Sequence, residues 1–200
     1  MNKLIIIGAS GHGKVVADIA KKIGYTDIVF LDNNESIKTC YGYPVIGNNS
    51  LASDIDGDLF VAIGNSLIRE SLMTQYSDRN FPILIHPDSV IADDVDIGIG
   101  SVVMAGTVIN PSVRMGKGVI VNTCSSIDHD CSIGNFCHIS VGAHLCGTVR
   151  VGDSTWIGAG STVNNNVDIC SDCMIGAGAV VVKKIDKVGT YVGVPARKVK

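Results

Sequence analysis

The chain has 200 residues, enough for one large domain or two modest ones, and with 46% hydrophobic and only 18% charged residues it can bury a sizeable core. Glycine is frequent at 23 residues while aromatics are sparse at 5%, a balance that suits tight turns around a narrow interior. A net charge of −3 supplies no basic footprint for nucleic acid or an anionic membrane, and seven cysteines, an odd number, argue against a secreted disulfide framework and for a reducing cytoplasm.

In chain order, the first expected element is a strand, Leu4 to Ile7, too short to span a bilayer and ended at once by Gly8; it also lacks the build of a signal peptide. A glycine-rich turn, Gly8-Ala-Ser-Gly-His-Gly13, opens a helix over about Gly13 to Ile23. Its amides and helix N-terminus favour a phosphate. The spacing G-x-x-G-x-G is not the dinucleotide fingerprint, and Val15 stands where a P-loop needs a magnesium-binding hydroxyl, so ATP use is discounted. A strand from Ile28 to Leu31 follows, then a polar stretch, a strand from Leu59 to Ile63, a helix over about Ser66 to Arg79 and a strand from Ile83 to Ile85. Alternating strands and helices imply a small parallel sheet of Rossmann-like α/β type. Asp32 ends the second strand and reads equally well as an acid facing a ribose or as an Asp-Asn turn. Gly64-Asn65 falls at the same carboxyl edge, and three loop ends converging there point to a nucleotide-sugar site.

From Ile91 every sixth residue is aliphatic, through Ile97, Val103, Ile109 and Met115 to Ile175 and Val181, sixteen positions without a slip. Four residues after each comes a small or branched residue, from Val95, Ser101 and Thr107 to Cys173 and Ala179. The residue immediately after the aliphatic is Gly, Asn or Asp in ten of the sixteen hexads, which suggests that this position turns the corner at positive φ. No helix has a period of six, and a simple strand alternates with period two. A coil that bends after each hexad accounts for all of this; three hexads close one turn of 18 residues, giving about five turns. Cys170 and Cys173 have no second metal-ligand pair at finger spacing, so no metal site is expected.

The chain resembles the hexapeptide-repeat acetyltransferases, in the branch that includes sialic acid O-acetyltransferases, perosamine N-acetyltransferases and the UDP-4-amino-4,6-dideoxy-sugar N-acetyltransferases of bacillosamine-type pathways. The likeness rests on Gly8 to Gly13, Phe30-Leu-Asp32, Ala62-Ile-Gly-Asn65, Asn122-Thr123, Asp128-His-Asp130, His138 to Ala143 and Val192-Gly-Val-Pro-Ala196. It implies a Rossmann-like nucleotide-sugar-binding domain over residues 1–84 and a left-handed parallel β-helix over residues 85–200 that binds acetyl-CoA and assembles as a homotrimer. The implied activity is acetyl transfer from acetyl-CoA to the amine of a nucleotide-linked sugar in the cytoplasm, with no metal, nucleic acid or membrane involved. Ser10, Gly11, His12, Asp32, Asn33, Gly64 and Asn65 match positions that contact the nucleotide-sugar. His129 matches the catalytic base, and His138, Gly147, Ala159 and Ala177 match acetyl-CoA contacts, Gly147 through its amide.

An imidazole beside a carboxylate suits a general base for an amine. Asp128 and Asn122 fall at the post-aliphatic position and have a structural explanation there, whereas Asp130 does not; Asp130 is therefore expected to support His129, with Asn122 in an indirect role. His86 reads as structural and His144 as a turn residue. Lys183, Lys184, Arg197 and Lys198 suit CoA phosphates or a solvated basic tail equally. Cys146 reads as a tolerated small residue, favouring direct transfer over a thioacyl enzyme. Sugar O-acetylation with the same residues, a zinc hydrolase of γ-carbonic-anhydrase type and a non-catalytic nucleotide-binding protein are the competing readings.

Overall fold

A computed structural model describes residues 3–199. They form two compact units that divide between Pro87 and Asp88.

The first unit is built on β1 (Lys3–Ile7), whose Leu4, Ile5, Ile6 and Ile7 are wholly buried. A strand apolar on both faces belongs in the middle of a parallel sheet, and β1 lies there, between β2 (Asp27–Leu31) and β5 (Asp58–Val61), both parallel to it. Helix α1 (Gly11–Lys22) starts two residues earlier than expected and buries Val16, Ala17, Ile19 and Ala20. It stops at Gly24, where φ is +101°, with the Tyr25 N–H donating back to Ala20. A Cβ on Gly13 would collide with the Gly8 carbonyl, so strand and helix pack as closely as they do because that residue is glycine. Helix α2 (Ser66–Gln75) ends four residues short of Arg79, and β6 is Leu84–Ile85.

The polar stretch after β2 holds structure that composition did not announce. β3 (Thr39–Cys40) and β4 (Tyr43–Gly47) form an antiparallel hairpin, and β4 adds in parallel to β2, giving the sheet order β3-β4-β2-β1-β5.

The second unit is the left-handed parallel β-helix. Sixteen two-residue strands, β7 (Val90–Ile91) to β22 (Val180–Val181), recur every six residues among the described residues, each ending on one of the sixteen aliphatics. They stack into three parallel sheets with partners 18 residues apart, as Ile109 with Ile127 and Ile127 with Leu145. From Val103 onward every aliphatic of the series is buried, and so is every small residue of the second series from Ser101. The polar members of that second series donate to main-chain carbonyls: Thr107 Oγ1 to Asn122 at 3.1 Å, Ser125 Oγ to the same carbonyl at 2.7 Å, and Cys137 Sγ to Gly152 at 3.1 Å. Buried hydroxyls thereby avoid the cost of an unmade bond. At the far end β23 (Thr190–Val192) continues one sheet in parallel, and β24 (Arg197–Lys198) folds back on it antiparallel, so Arg197 and Lys198 lie in a hairpin.

The corner geometry overturns one expectation. Positive φ occurs every sixth residue from Gly100 to Gly178, three positions after the aliphatic, and eight of these residues are not glycine: Ser112, Cys124, Asp130, Phe136, Thr148, Ser154, Asn166 and Asp172, with φ between 54° and 65°. Asp130 is thus itself a left-handed corner residue, and Asp128 and Asn122 are not. The post-aliphatic glycines answer a different demand. A Cβ on Gly134 would run into the Asp153 main chain, with the nitrogen 2.6 Å away, and one on Gly98 into the Gly116–Lys117 peptide of the next coil. Crowding between coils, not backbone sign, selects glycine at those two positions. His144 likewise sits in a strand (His144–Leu145), not in a turn.

These two demands separate experimentally. Gly134→Ala is expected to lose about 1–3 kcal/mol by overpacking, whereas Ser154→Gly, at φ 55°, is expected to hold or gain up to about 1 kcal/mol by relieving left-handed strain; urea unfolding of both variants measures the contrast.

Candidate active site

His129 lies at a corner of the β-helix, between the strands Ser126–Ile127 and Ser132–Ile133. Its Nδ1 is 2.7 Å from Asp130 Oδ2. A carboxylate can only accept, so Nδ1 carries the proton and Nε2 the lone pair. The Asp130 side chain reaches the ring because its backbone turns left-handed immediately after His129. On the other side, Asp128 Oδ1 accepts from the His129 N–H at 2.8 Å and from Asn110 Nδ2 at 2.7 Å. One coil further on, Gly147 faces the ring: a Cβ there would stand 2.6 Å from His129 Nε2. The Thr148 N–H donates to the His129 carbonyl at 2.9 Å, tying the two coils together.

The hydrogen bond to Asp130, helped by the charge of Asp128, pushes the His129 imidazole above its ordinary value. Asp128 is held below the usual carboxylate range by the Asn110 amide and the His129 N–H. Both His129 and Asp130 are more than half exposed in their side chains, so water moderates this coupling.

A second cluster forms half a turn along the coil. His138 is only 8% exposed and accepts or shares a hydrogen bond with Asn122 Nδ2 at 3.1 Å; its ring lies 4.2 Å from that of Trp156 at 46°. His138, Ala159 and Ala177 share a cleft of about 330 Å³ with Asn122, Trp156 and Met174. The structure therefore gathers His129, Asp130 and Gly147 at one corner, and His138, Ala159 and Ala177 at another. The support of Asn122 goes to His138 and not to His129.

In the first unit the three expected loops do end on one sheet edge, since β2, β1 and β5 are neighbours. Ser10 is the N-cap of α1, yet its side chain makes no capping bond, and Gly11 is exposed. The His12 Nε2 is buried without a partner, and burial, with the Arg69 guanidinium nearby, lowers its imidazole to about 4. Arg69, buried in α2, donates to the carbonyls of Ile63 and Gly64 at 2.8 and 2.9 Å. Asn65 caps α2 by accepting from the Ile68 N–H, and Asn33 Oδ1 accepts from the Asn49 N–H. Asp32 accepts from the Ala9 N–H through one oxygen and the Asn34 N–H through the other, both at 2.8 Å. Of the two readings of Asp32, the turn is formed, and it also pins the glycine-rich loop to the end of β2.

A cleft of about 340 Å³ opens beside the ends of β2 and β4, where Asp32 is joined by Asn34, Glu35, Lys38, Asn48 and Ser50. Apart from Asp32, none of these was singled out from sequence. The available signal was the apolar Tyr43-Pro-Val-Ile run between Gly42 and Gly47, which brings Asn48 and Ser50 to this edge. Among the described residues no three His, Cys, Asp or Glu side chains are grouped to hold a metal ion.

This combination of a Rossmann-like unit with a hexapeptide β-helix bearing an exposed His–Asp pair defines an acyltransferase class. Residues 3–76 match the PglD N-terminal domain, and residues 148–183 match the bacterial transferase hexapeptide (six repeats). The acetyltransferase domain of PglB from Neisseria gonorrhoeae FA1090 superposes with a TM-score of 0.96 at 41% identity, covering 100% of both chains. PerB from Caulobacter crescentus, solved in complex with CoA and GDP-perosamine, gives 0.94 at 34% identity over 100% of this chain and 98% of that one. A UDP-N-acetylbacillosamine N-acetyltransferase of Bacillus subtilis (strain 168) is 32% identical over 113 residues, 52% of this chain and 52% of the relative, so the matched stretch spans about half the length of that curated protein. The chain belongs to the hexapeptide-repeat acetyltransferase family, in the branch with a PglD-type N-terminal domain.

Asp32→Ala would leave the Ala9 and Asn34 N–H groups without their acceptor. It is expected to cost about 1–3 kcal/mol in urea unfolding, and stability equal to the parent would show that Asp32 does not hold the loop.

Proposed function

We propose that the protein is an acetyl-CoA-dependent N-acetyltransferase acting on the amine of a nucleotide-linked amino-deoxy sugar, of UDP-4-amino-4,6-dideoxyhexose type. The carrying observation is the His129 corner, where the Asp130 bond fixes the proton on Nδ1 and leaves the Nε2 lone pair facing Gly147. In this reading Nε2 takes the proton from the sugar amine as its nitrogen attacks the thioester carbonyl. The C–N bond forms, the C–S bond breaks, and the imidazolium returns the proton to the departing thiolate. The Gly147 N–H makes no hydrogen bond among the described residues, which suits it to the oxygen that gains charge during attack. Direct transfer needs no nucleophile from the protein, and the buried Cys131 thiol, two residues from His129, is pushed up to about 11 by burial, unsuited to forming a thiolate.

The acetyl-CoA contacts are assigned to the cleft of His138, Ala159 and Ala177, half a turn from His129. A homotrimer supplies the missing proximity: the cleft of one copy faces the base of its neighbour, and the donor lies in the groove between them. Ser10, Gly11, His12, Asp32, Asn33, Gly64 and Asn65 are assigned to the nucleotide-sugar, His12 offering its unpartnered nitrogen at the N-terminus of α1. The UDP-linked acceptor is favoured by the activity of the Bacillus subtilis relative, a UDP-N-acetylbacillosamine N-acetyltransferase. Seven free thiols suit a reducing cytoplasm, and among the described residues no helix is long and apolar enough to cross a membrane.

Thiol release from acetyl-CoA, measured with UDP-, GDP- and TDP-linked 4-amino sugars and with sialic acid, is expected to be fastest with the UDP-amino sugar; preference for the hydroxyl of sialic acid would replace this reading. His129→Ala is expected to lower kcat by about 10²–10⁴, with near-parental turnover refuting the base. Asp130→Asn removes the largest contribution that raises the His129 imidazole. The free base then persists to lower pH, so the acid limb of the kcat/KM profile is expected to move down in pH while the maximum falls.

A further inference from the structure

We propose that Asn110 is a positioning residue for the base, clamping the Asp128 carboxylate so that it holds the His129 main chain in place. The proposal rests on the reading of His129 as the general base and adds a part to it that comes from the preceding coil.

Asn110 stands directly below Asp128, since Ile109 pairs with Ile127 in the parallel ladder. Its own backbone is fixed there by its N–H, which donates to the Ile127 carbonyl at 3.0 Å. Its side chain then has one short reach, to Asp128 Oδ1 at 2.7 Å, and that same oxygen accepts the His129 N–H at 2.8 Å. Two donors converging on one carboxylate oxygen leave the Asp128 side chain little freedom. The His129 peptide is consequently tied at both ends, through its N–H to Asp128 and through its carbonyl to the Thr148 N–H. That fixes the direction of its Cα–Cβ bond, and the Asp130 bond then fixes the ring. Without the first restraint the second can hold the ring to Asp130 while Nε2 swings away from Gly147.

Nothing about the corner geometry requires an amide at position 110. Position 110 has no positive φ, and its counterparts along the same column are Ala92, Asp128, Cys146, Asn164 and Val182, so stacking alone accepts other residues. The charged and titratable groups around His129 within the chain are few. Its own segment offers Asp128 and Asp130, the coil above offers the Cys146 thiol beside Gly147, and the coil below offers only uncharged Asn110 and Pro111. After the Asp130 hydrogen bond, the charge of Asp128 is therefore the next influence favouring the imidazolium, and Asn110 favours the ionised form of Asp128 by hydrogen bonding to it.

Asp128→Asn preserves shape and the acceptor for the His129 N–H but removes the charge, whereas Asn110→Ala removes the clamp and leaves the charge. The test follows the His129 ring by proton NMR titration in the full-length protein and, in parallel, records kcat, both KM values and Tm. Asp128→Asn is expected to titrate at lower pH than the parent, with the acid limb of kcat/KM following it down. Asn110→Ala is expected to lose on the order of tenfold in kcat, as a small misplacement of a reacting group does, with both KM values unchanged and a smaller downward move of the titration. A Tm loss in Asn110→Ala without change in kcat or in the His129 titration would make its role structural and overturn the proposal. Parental kcat and titration in both variants, alongside an inactive His129→Ala, would overturn it while sparing the base assignment. An active His129→Ala would overturn the base assignment and this proposal with it.

Discussion

Each coil of the β-helix hangs on the next through main-chain hydrogen bonds in which an N–H meets the carbonyl seventeen residues ahead, as Val102 meets Val119 at 2.9 Å and Ile120 meets Cys137 at 3.0 Å. This ladder holds like positions in columns at about the 4.8 Å spacing of parallel strands. The columns then decide what each position tolerates. Inward positions become continuous files of Ile, Val, Leu and Met alternating with files of smaller residues, Ser, Thr, Cys, Ala and Val. Outward positions become addresses: residue n sits over residue n−18 whatever lies between. Asn110 under Asp128, and Gly147 over His129, are neighbours only through that register.

The two units solve the placement of polar chemistry in different ways. In the Rossmann-like unit the chemistry sits on loops at the ends of β2, β1 and β5, and several of its polar side chains work on the protein itself: Asp32 on two amides, Asn65 on the start of α2, Asn33 on Asn49. Those bonds shape the loops at the carboxyl edge of the sheet. In the β-helix the loops are no more than corners, and side chains at successive corners combine. His129 gains its character from Asp130 beside it and Asp128 before it, without any excursion of the chain.

How far the sequence could be read followed how often a constraint was repeated. The hexad period is enforced sixteen times, and each expected strand is present. The pairing of His129 with Asp130 was legible because the two are adjacent, although the reason given for preferring Asp130 over Asp128 failed: Gly serves tight clearance as well as left-handed backbone, and Asn and Asp occur at both positions, so composition does not separate the two. Phe136 and Thr148 at φ 57° and 62° show how little the left-handed corner depends on residue type once the ladder fixes it. The hairpin of β3 and β4 escaped notice because Pro44 reads against a strand and its neighbours alternate in exposure at a sheet edge. Asn122 with His138, 16 residues apart, and Asn110 with Asp128, 18 apart, were hidden because a pair at one coil's distance has no local signature.

The hairpin at Thr190–Val192 and Arg197–Lys198 bears on something other than catalysis. A parallel coil has no inherent end: its last turn offers the same row of unpaired amides and carbonyls that recruited each earlier turn, and a second molecule would find there a ready template. At the tip of one of the three sheets the chain lays one more strand and then turns back across it, so that sheet ends in an antiparallel strand and not in another parallel coil. The edge that a second molecule would meet on that sheet is then a two-residue antiparallel strand carrying Arg197 and Lys198, two exposed charges that oppose further pairing.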